Sequence, residues 1–191
     1  MSGVHHDRTI ARRKALQILY QAELTGTGPA QVLADGEFID ELGIPCQFTA
    51  RLVTTLPERS AEIDALIASA SANWSIDRIA LVDRCILRLA THEMLYIDEV
   101  PISVSVNEAV ELARIFGGED DSPRFINGVL GSIARTLAAA LASDPVSVLV
   151  PDSASTLASD LVPAPMSDPV SVTIVCNDKE CEAESLSKEN R

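Results

Sequence analysis

The chain has 191 residues, of which 47% are hydrophobic and 23% are charged, so a wholly disordered protein is excluded. Its formal net charge is −13: residues 1–142 carry 12 basic and 19 acidic side chains, and residues 143–191 carry 3 and 9. Such an acidic chain repels nucleic acid as a whole, so RNA or DNA binding requires a local basic patch.

The beginning of the chain and its apolar segments predict a soluble, cytoplasmic protein without membrane contact. No stretch approaches the length of a membrane span, and the first residues, MSGVHHDRTIARRK, lack the apolar core of a secretion signal. The four cysteines lie too far apart for a Cys-x-x-Cys pair, and only three histidines accompany them. We therefore expect free thiols and no metal site.

The first predicted helix covers Thr9 to Leu24. Its apolar residues recur at helical spacing and share one face: Ile10, Leu16, Leu19, Tyr20 and Leu24. Gly26 and Gly28 end it, and two short segments follow at 31–36 and 37–43.

The middle of the chain predicts three further helical stretches. One opens at Ile44-Pro45, is interrupted at Pro57 and resumes beyond it, since proline removes a backbone donor. The strongest helix of the chain is predicted from Ser75 to Ile97, with Ser75 as its N-cap.

Two more helices complete this part of the chain. The first covers 105–116 and stops before Gly117-Gly118. The second is introduced by Ser122-Pro123, a capping residue followed by a proline that suits the first helical turn. No convincing two-residue alternation occurs before residue 142, so the sequence predicts an all-α fold of about seven helices.

The composition changes near residue 143. The helical apolar pattern stops, SDPVSV at 143–148 recurs at 167–172, and five prolines between 145 and 169 exclude any long helix. We therefore predict an all-α domain over 1–142, followed by a disordered Ser-, Pro- and acid-rich tail over 143–191. A partner-binding role for this tail is the alternative.

Catalytic and cofactor motifs are missing from the sequence. It contains neither GxxxxGK nor GxGxxG, and His92-Glu93 does not continue as HExxH because Tyr96 occupies the position of the second histidine. We therefore expect no enzyme activity, no catalytic residue, no cofactor and no metal.

A basic cluster stands out at the beginning of the acidic chain. Residues 1–20 hold Arg8, Arg12, Arg13 and Lys14 against Asp7 alone. Cations near a helix N-terminus oppose the helix dipole, so their clustering favours phosphate binding, with a solvated helix start as the structural alternative.

Three segments, in this order, resemble the NusB family of bacterial transcription antitermination and ribosomal RNA biogenesis factors: ARRKALQILYQAEL, DRIALVDRCILRLATHEML and VPISVSVNEAVELARIFGGEDDSPRFINGVLGSIA. The resemblance covers about residues 8–137 and is most specific in the last segment. The basic start is sparser here than in the usual family sequence, and Pro57 sits where a family helix is normally continuous.

The resemblance implies two small helical bundles without catalytic activity. It also implies binding to the boxA element of nascent RNA jointly with NusE, a small-subunit ribosomal protein, within a transcription elongation complex that includes other Nus factors. Carried over by position, the RNA surface comprises Arg8, Arg12, Arg13, Lys14, Arg124 and Phe125, and the NusE surface includes Tyr20 and Asp83.

Structural alternatives accompany these assignments. Phe125 suits base stacking but also fits a core position, and Tyr20 fits the edge of the core. The structural alternative for Asp83 is an ion pair with a cation four residues further along its helix, but residue 87 is Leu. At the level of function, the alternatives are a helical protein–protein adaptor without RNA binding and an accessory-domain relative of ribosomal RNA methyltransferases.

Overall fold

The computed structural model describes residues 3–36, 44–71, 75–118 and 121–143, with side chains from 7 to 140. These ranges contain no strand and seven α-helices: α1 (Gly3–Thr25), α2 (Pro29–Asp35), α3 (Gln47–Thr55), α4 (Ser60–Ala70), α5 (Leu81–Tyr96), α6 (Ile102–Phe116) and α7 (Ser122–Ser143). Two 3-10 turns, Pro57–Arg59 and Ile76–Arg78, precede α4 and α5. The predicted all-α fold of about seven helices is confirmed.

The first helix is longer than predicted. It begins at Gly3 rather than Thr9 and ends at Thr25, where Gly26 adopts a left-handed conformation with φ of 71°. Glycine reaches this conformation without a steric penalty, so it ends α1 as the sequence indicated. Residues 31–35 of the segment predicted at 31–36 belong to α2, and Gly36 caps that helix, whereas the segment at 37–43 lies outside the described residues.

The start predicted for the longest central helix was wrong. Ser75 precedes a 3-10 turn, and Ile79 then has extended backbone angles (φ −70°, ψ 133°), so α5 begins only at Leu81. Ile79 is nevertheless buried, with 6% of its surface exposed. An apolar side chain can reach the core from an extended residue as well as from a helical one. The spacing of apolar residues therefore does not show where the helix begins.

The break predicted at Pro57 is confirmed. Helix α3 begins at Gln47, slightly after the predicted opening at Ile44-Pro45, and ends at Thr55. The 3-10 turn from Pro57 then leads into α4.

The helices pack as two groups that meet along α5. Helices α1 to α3 contact one another, α4 to α7 form the second group, and α5 also contacts α1 and α3. The largest side chains that are fully buried come from both groups: Leu16, Ile18, Leu52, Ile63, Ile67, Ile86, Leu87, Leu89, Ile97, Ile126, Leu130 and Ile133. Each such side chain contributes about 1.5–3 kcal/mol, so this shared core fixes the two bundles against each other.

The residue after the end of α6 lies close to the first residue of α7. A Cβ atom on Gly117 would lie 2.3 Å from the carbonyl oxygen of Ala113 and 2.8 Å from Cβ of Ser122. The φ of Gly117 is −63°, so the close approach of the chain, rather than a left-handed conformation, requires glycine here.

The C-terminal helix continues to Ser143, one residue past the predicted domain boundary. The predicted disordered tail lies outside the described residues from 144 onward. Within the described chain, no helix combines the length and apolar character that crossing a bilayer requires.

Candidate nucleic-acid interface

Two arginines of α1 contact an aromatic ring of α3. The guanidinium carbons of Arg8 and Arg12 lie 5.1 Å and 5.6 Å from the centroid of the Phe48 ring. These distances are typical of cation–π contacts. Because the two arginines are one helical turn apart, a single ring orients both.

Arg12 lies in the interior instead of on the predicted surface. Only 3% of the residue is exposed, and its Nε donates hydrogen bonds to Oε1 and Oε2 of Glu93 at 3.1 Å and 2.9 Å. Nη2 also donates to Oε1 of Glu93, and Nη1 lies 3.3 Å from Oε2 of Glu108. The prediction of a surface guanidinium was therefore wrong, since a buried cation needs a carboxylate partner and Arg12 has one in Glu93.

Lys14 is buried as well, with 5% of its surface exposed. Its Nζ donates a hydrogen bond of 2.6 Å to the carbonyl oxygen of Ile44, which ties α1 to the segment before α3. The predicted surface position of Lys14 was thus also wrong. By contrast, Arg8 and Arg13 are half-buried, and Nε of Arg13 has no hydrogen-bond partner among the described residues.

The second predicted part of the surface lies at the start of α7. Arg124 is exposed and lines a groove of about 770 Å³ between α6 and α7. Asn107, Arg114 and Asn127 also line this groove, and Arg114 is ion-paired with Glu111. The groove thus presents guanidinium and amide groups, which suit phosphate and base-edge contacts.

Phe125 is half-buried and packs against the hydrophobic core. Ser122, which was predicted as the residue that caps α7, is the first residue of that helix. Its hydroxyl donates a 3.0 Å hydrogen bond to Oδ2 of Asp83, which fixes the start of α7 to the first turn of α5.

Helix α6 connects the two parts of the candidate surface. Glu108 forms the ion pair with Arg12 of α1, and the adjacent residue, Asn107, lines the groove together with Arg124 of α7. Neither Asn107 nor Glu108 was among the residues predicted for the site.

The residues predicted to meet a protein partner differ in exposure. Tyr20 is 38% exposed, and Leu24, one turn further along α1, is 62% exposed although its spacing had placed it on the core face. Asp83 is buried, with 7% of its surface exposed, and accepts the hydrogen bond from Ser122. The expectation that Asp83 presents its charge at the surface was wrong, because a buried hydroxyl on α7 binds it.

Charged side chains border the exposed end of α1. Glu23 forms ion pairs with Arg84 at 3.2 Å and with Arg88 at 2.7 Å. Arg88 also binds Asp64 at 2.7 Å, and the hydrogen bond to Asp64 raises the pKa of Arg88 despite its partial burial.

Two buried side chains, His92 and Cys85, have pKa values far from their ordinary ones. Burial lowers the pKa of His92 to about 4, helped by Arg51 and Arg59, and its Nε2 lies 2.9 Å from Oγ1 of Thr55. Burial also raises the pKa of Cys85 to about 11, which keeps the thiol protonated. In the part of the chain that the structure describes, no three His, Cys, Asp or Glu side chains group as metal ligands.

Comparison with known proteins identifies close relatives of this fold and sequence. Residues 9–135 match the model of the NusB family. The transcription antitermination protein NusB of Bacillus pumilus is 42% identical over 130 residues, which span 68% of this chain and 96% of that protein. These proteins are named for antitermination rather than for catalysis, in agreement with the prediction that the chain is not an enzyme.

Solved structures give the same result. NusB of T. maritima is 31% identical, with a TM-score of 0.59 over 67% of this chain and 90% of that one. A structure of the antitermination factors NusB and NusE in complex with dsRNA contains a chain that is 26% identical, with a TM-score of 0.57 over 69% of this chain and 98% of that one.

Proposed function

Because this chain belongs to the NusB family, we propose that it is a transcription antitermination factor that binds boxA-type nascent RNA together with NusE and supports ribosomal RNA transcription. The observation that carries the proposal is the pairing of an exposed cation, Arg124, with the half-buried ring of Phe125 at the start of α7. A relative of the same fold is known in complex with NusE and dsRNA, which supports both partners.

In this proposal the four cations of α1 have two different roles. Arg8 and Arg13 are half-buried and contact phosphates of the RNA, as Arg124 does from α7. Arg12 and Lys14 are bound to Glu93 and Ile44, so they hold α1 in place beneath that surface. The surface is sparse in charge, so shape and stacking contribute beside phosphate contacts.

Phe125 provides the stacking platform, because single-stranded RNA is commonly recognised by bases that stack on aromatic rings. The ring is held by the core behind it and by the anchoring of α7 to α5 through Ser122 and Asp83. We therefore propose that Asp83 acts on the start of α7 as a positioning residue.

The exposed end of α1 provides the surface for NusE. Tyr20 and Leu24 form an apolar strip one helical turn long, bordered by the ion pair of Glu23 with Arg84. An exposed aromatic residue beside charged groups is typical of protein interfaces. The complex with NusE then joins the elongation complex with the other Nus factors.

The direct test is a titration of a labelled boxA-type single-stranded RNA, with a scrambled RNA of equal length as control and with NusE present or absent. We expect preference for the boxA-type sequence and tighter binding with NusE. Replacing Arg8 and Arg13 by Ala should weaken binding and flatten the plot of log affinity against log salt by about 1 to 1.5, since each phosphate contact on a single strand contributes about 0.7.

The adaptor alternative remains tied to two observations, the net charge of −13 and the exposed Tyr20–Leu24 strip. An adaptor binds NusE equally well but shows no RNA affinity in either arm of the titration. Equal affinity for the boxA-type and scrambled RNAs would instead reduce the proposal to unspecific RNA binding.

A further inference from the structure

The two carboxylates that contact Arg12 differ in burial. The Glu93 side chain is 1% exposed and binds Nε and Nη2 in a bidentate arrangement, whereas the Glu108 side chain is 24% exposed and faces Nη1. Glu93 thus lies behind the guanidinium, in the interior, and Glu108 lies towards solvent. A molecule that approaches Arg12 from solution meets Glu108 first.

The contact with Glu108 is also the weaker of the two. Its N···O distance is 3.3 Å, compared with 2.9 Å for Nε to Oε2 of Glu93. Charge-assisted hydrogen bonds usually measure about 2.7–2.9 Å. Two carboxylates share the Arg12 guanidinium, and Glu108 is the partner that solvent screens.

We propose that Glu108 is an exchangeable counter-ion, which a phosphate of the bound RNA displaces from Nη1 of Arg12. This inference rests on the proposed RNA binding and adds Arg12 to the phosphate contacts without moving its side chain. Glu93 keeps Nε and Nη2, so the guanidinium is already oriented when the phosphate arrives. The Glu108 side chain turns into solvent, and one acidic oxygen replaces another as the acceptor from Nη1.

The exchange makes Glu108 a restraint on RNA binding. An RNA phosphate has to compete with a carboxylate that is permanently present on the protein. Arg8, one turn earlier on α1 and stacked on the same ring of Phe48, lies next to the exchange site and supplies a neighbouring phosphate contact. An RNA strand can place one phosphate at Arg8 and the next at Arg12. It therefore displaces Glu108 more readily than a single free anion does.

Two substitutions of Glu108 test the exchange. Glu108→Gln removes the competing charge, and Glu108→Asp keeps the charge but withdraws the carboxylate from Nη1 by one methylene group. Both should bind the boxA-type RNA about two- to fivefold more tightly than the unmodified protein, the range expected for loss of a solvent-screened ion pair. A general effect of net charge would tighten binding by Glu108→Gln alone, and that result would overturn the proposal.

A second set of variants tests whether the effect of Glu108 depends on Arg12. The pair Arg12→Gln and Glu93→Gln replaces the buried ion pair by two amides, and Glu108→Gln is then added to it. The gain from Glu108→Gln should disappear in this background, because a coupled pair gives non-additive effects. A gain of equal size would show that Glu108 acts independently of Arg12. If the unmodified protein binds no RNA, the proposed function fails; if it binds and Glu108→Asp brings no gain, only the exchange fails.

Discussion

Ion pairs join α1 to α5 at two places, and the two places differ in burial. Near the middle of α1, Arg12 binds Glu93, and their side chains are 4% and 1% exposed. Near its end, Glu23 binds Arg84 and Arg88, with side chains that are 17% to 37% exposed. The same two helices and the same chemistry therefore produce one connection inside the fold and another at its surface.

Burial decides what each connection does. Removing one partner of a buried pair leaves an uncompensated charge in the interior, whereas an exposed pair is screened by solvent and loses little when broken. The middle of α1 is thus fixed on α5 by a buried ion pair. At the end of α1 the ion pairs and the Tyr20–Leu24 strip are exposed to solvent.

The largest expected effect follows from breaking the buried connection. Arg12→Ala should lower the free energy of unfolding by about 3–5 kcal/mol, because it leaves the Glu93 carboxylate buried without its cation. Glu23→Ala is the matched change at the exposed connection and should cost at most about 1 kcal/mol. Urea unfolding followed by circular dichroism measures both, and losses of similar size would remove the distinction between the two connections.

A pH titration of stability should reveal a second buried group beside the first connection. The folded-state pKa of His92 is about 4, lowered first by burial and then by Arg51 and Arg59. Between about pH 6.5 and pH 4 the unfolded chain therefore binds the proton and the folded one does not, so stability falls as the pH is lowered through this window. The full loss is about 3 kcal/mol, at 1.36 kcal/mol for each unit of pKa.

The control for this titration is His92→Gln, which keeps a polar partner for Thr55 and cannot take up the proton. The difference in unfolding free energy between the two proteins should change across the window and stay constant above about pH 7. A difference that is independent of pH would show that His92 is protonated in the folded protein as readily as in the unfolded chain.

Substitution of Asp83 should change the free energy of unfolding by less than the loss of Arg12 and by more than the loss of an exposed charge. Asp83 is buried, and the group that binds it is a neutral hydroxyl. Asp83→Ala should cost about 1–3 kcal/mol because the hydroxyl of Ser122 loses its acceptor in the interior. It should also weaken RNA binding by loosening the start of α7. Asp77→Ala removes an exposed carboxylate from the turn before α5, and we expect a change within about 0.5 kcal/mol.

The smallest effect on stability belongs to the exposed end of α1. Leu24→Ala removes a side chain that is 62% exposed, so unfolding should change by no more than about 0.5 kcal/mol. Affinity for NusE, measured by calorimetry, should nevertheless fall. Unchanged affinity would place the partner surface elsewhere.

The helices were predictable because the signals that specify them are local. Apolar residues at helical spacing located every helix except the short α2, and the breaks at Gly26 and Pro57 follow from the backbone chemistry of single residues. Where two backbone conformations bury the same side chain, as at Ile79, spacing alone was insufficient.

The availability of the charges was not predictable in this way. Arg12 and Glu93 are 81 residues apart in the sequence. The charges within residues 1–20 therefore indicate the cation but not the carboxylate that binds it. Lys14 and Asp83 follow the same pattern, with partners 30 and 39 residues away. Arg124 is exposed, as a surface residue should be. Its exposure depends on its position in the first turn of its own helix, which is a local feature of the sequence.

One measurement tests the proposed RNA surface most directly. Arg124 and Arg135 are both exposed on α7, and Arg124 alone lines the groove beside α6. The salt dependence of boxA-type RNA affinity should flatten by about 0.7 in Arg124→Ala and remain unchanged in Arg135→Ala, with both proteins folded. Equal slopes and affinities in the two variants would contradict an RNA surface at the start of α7.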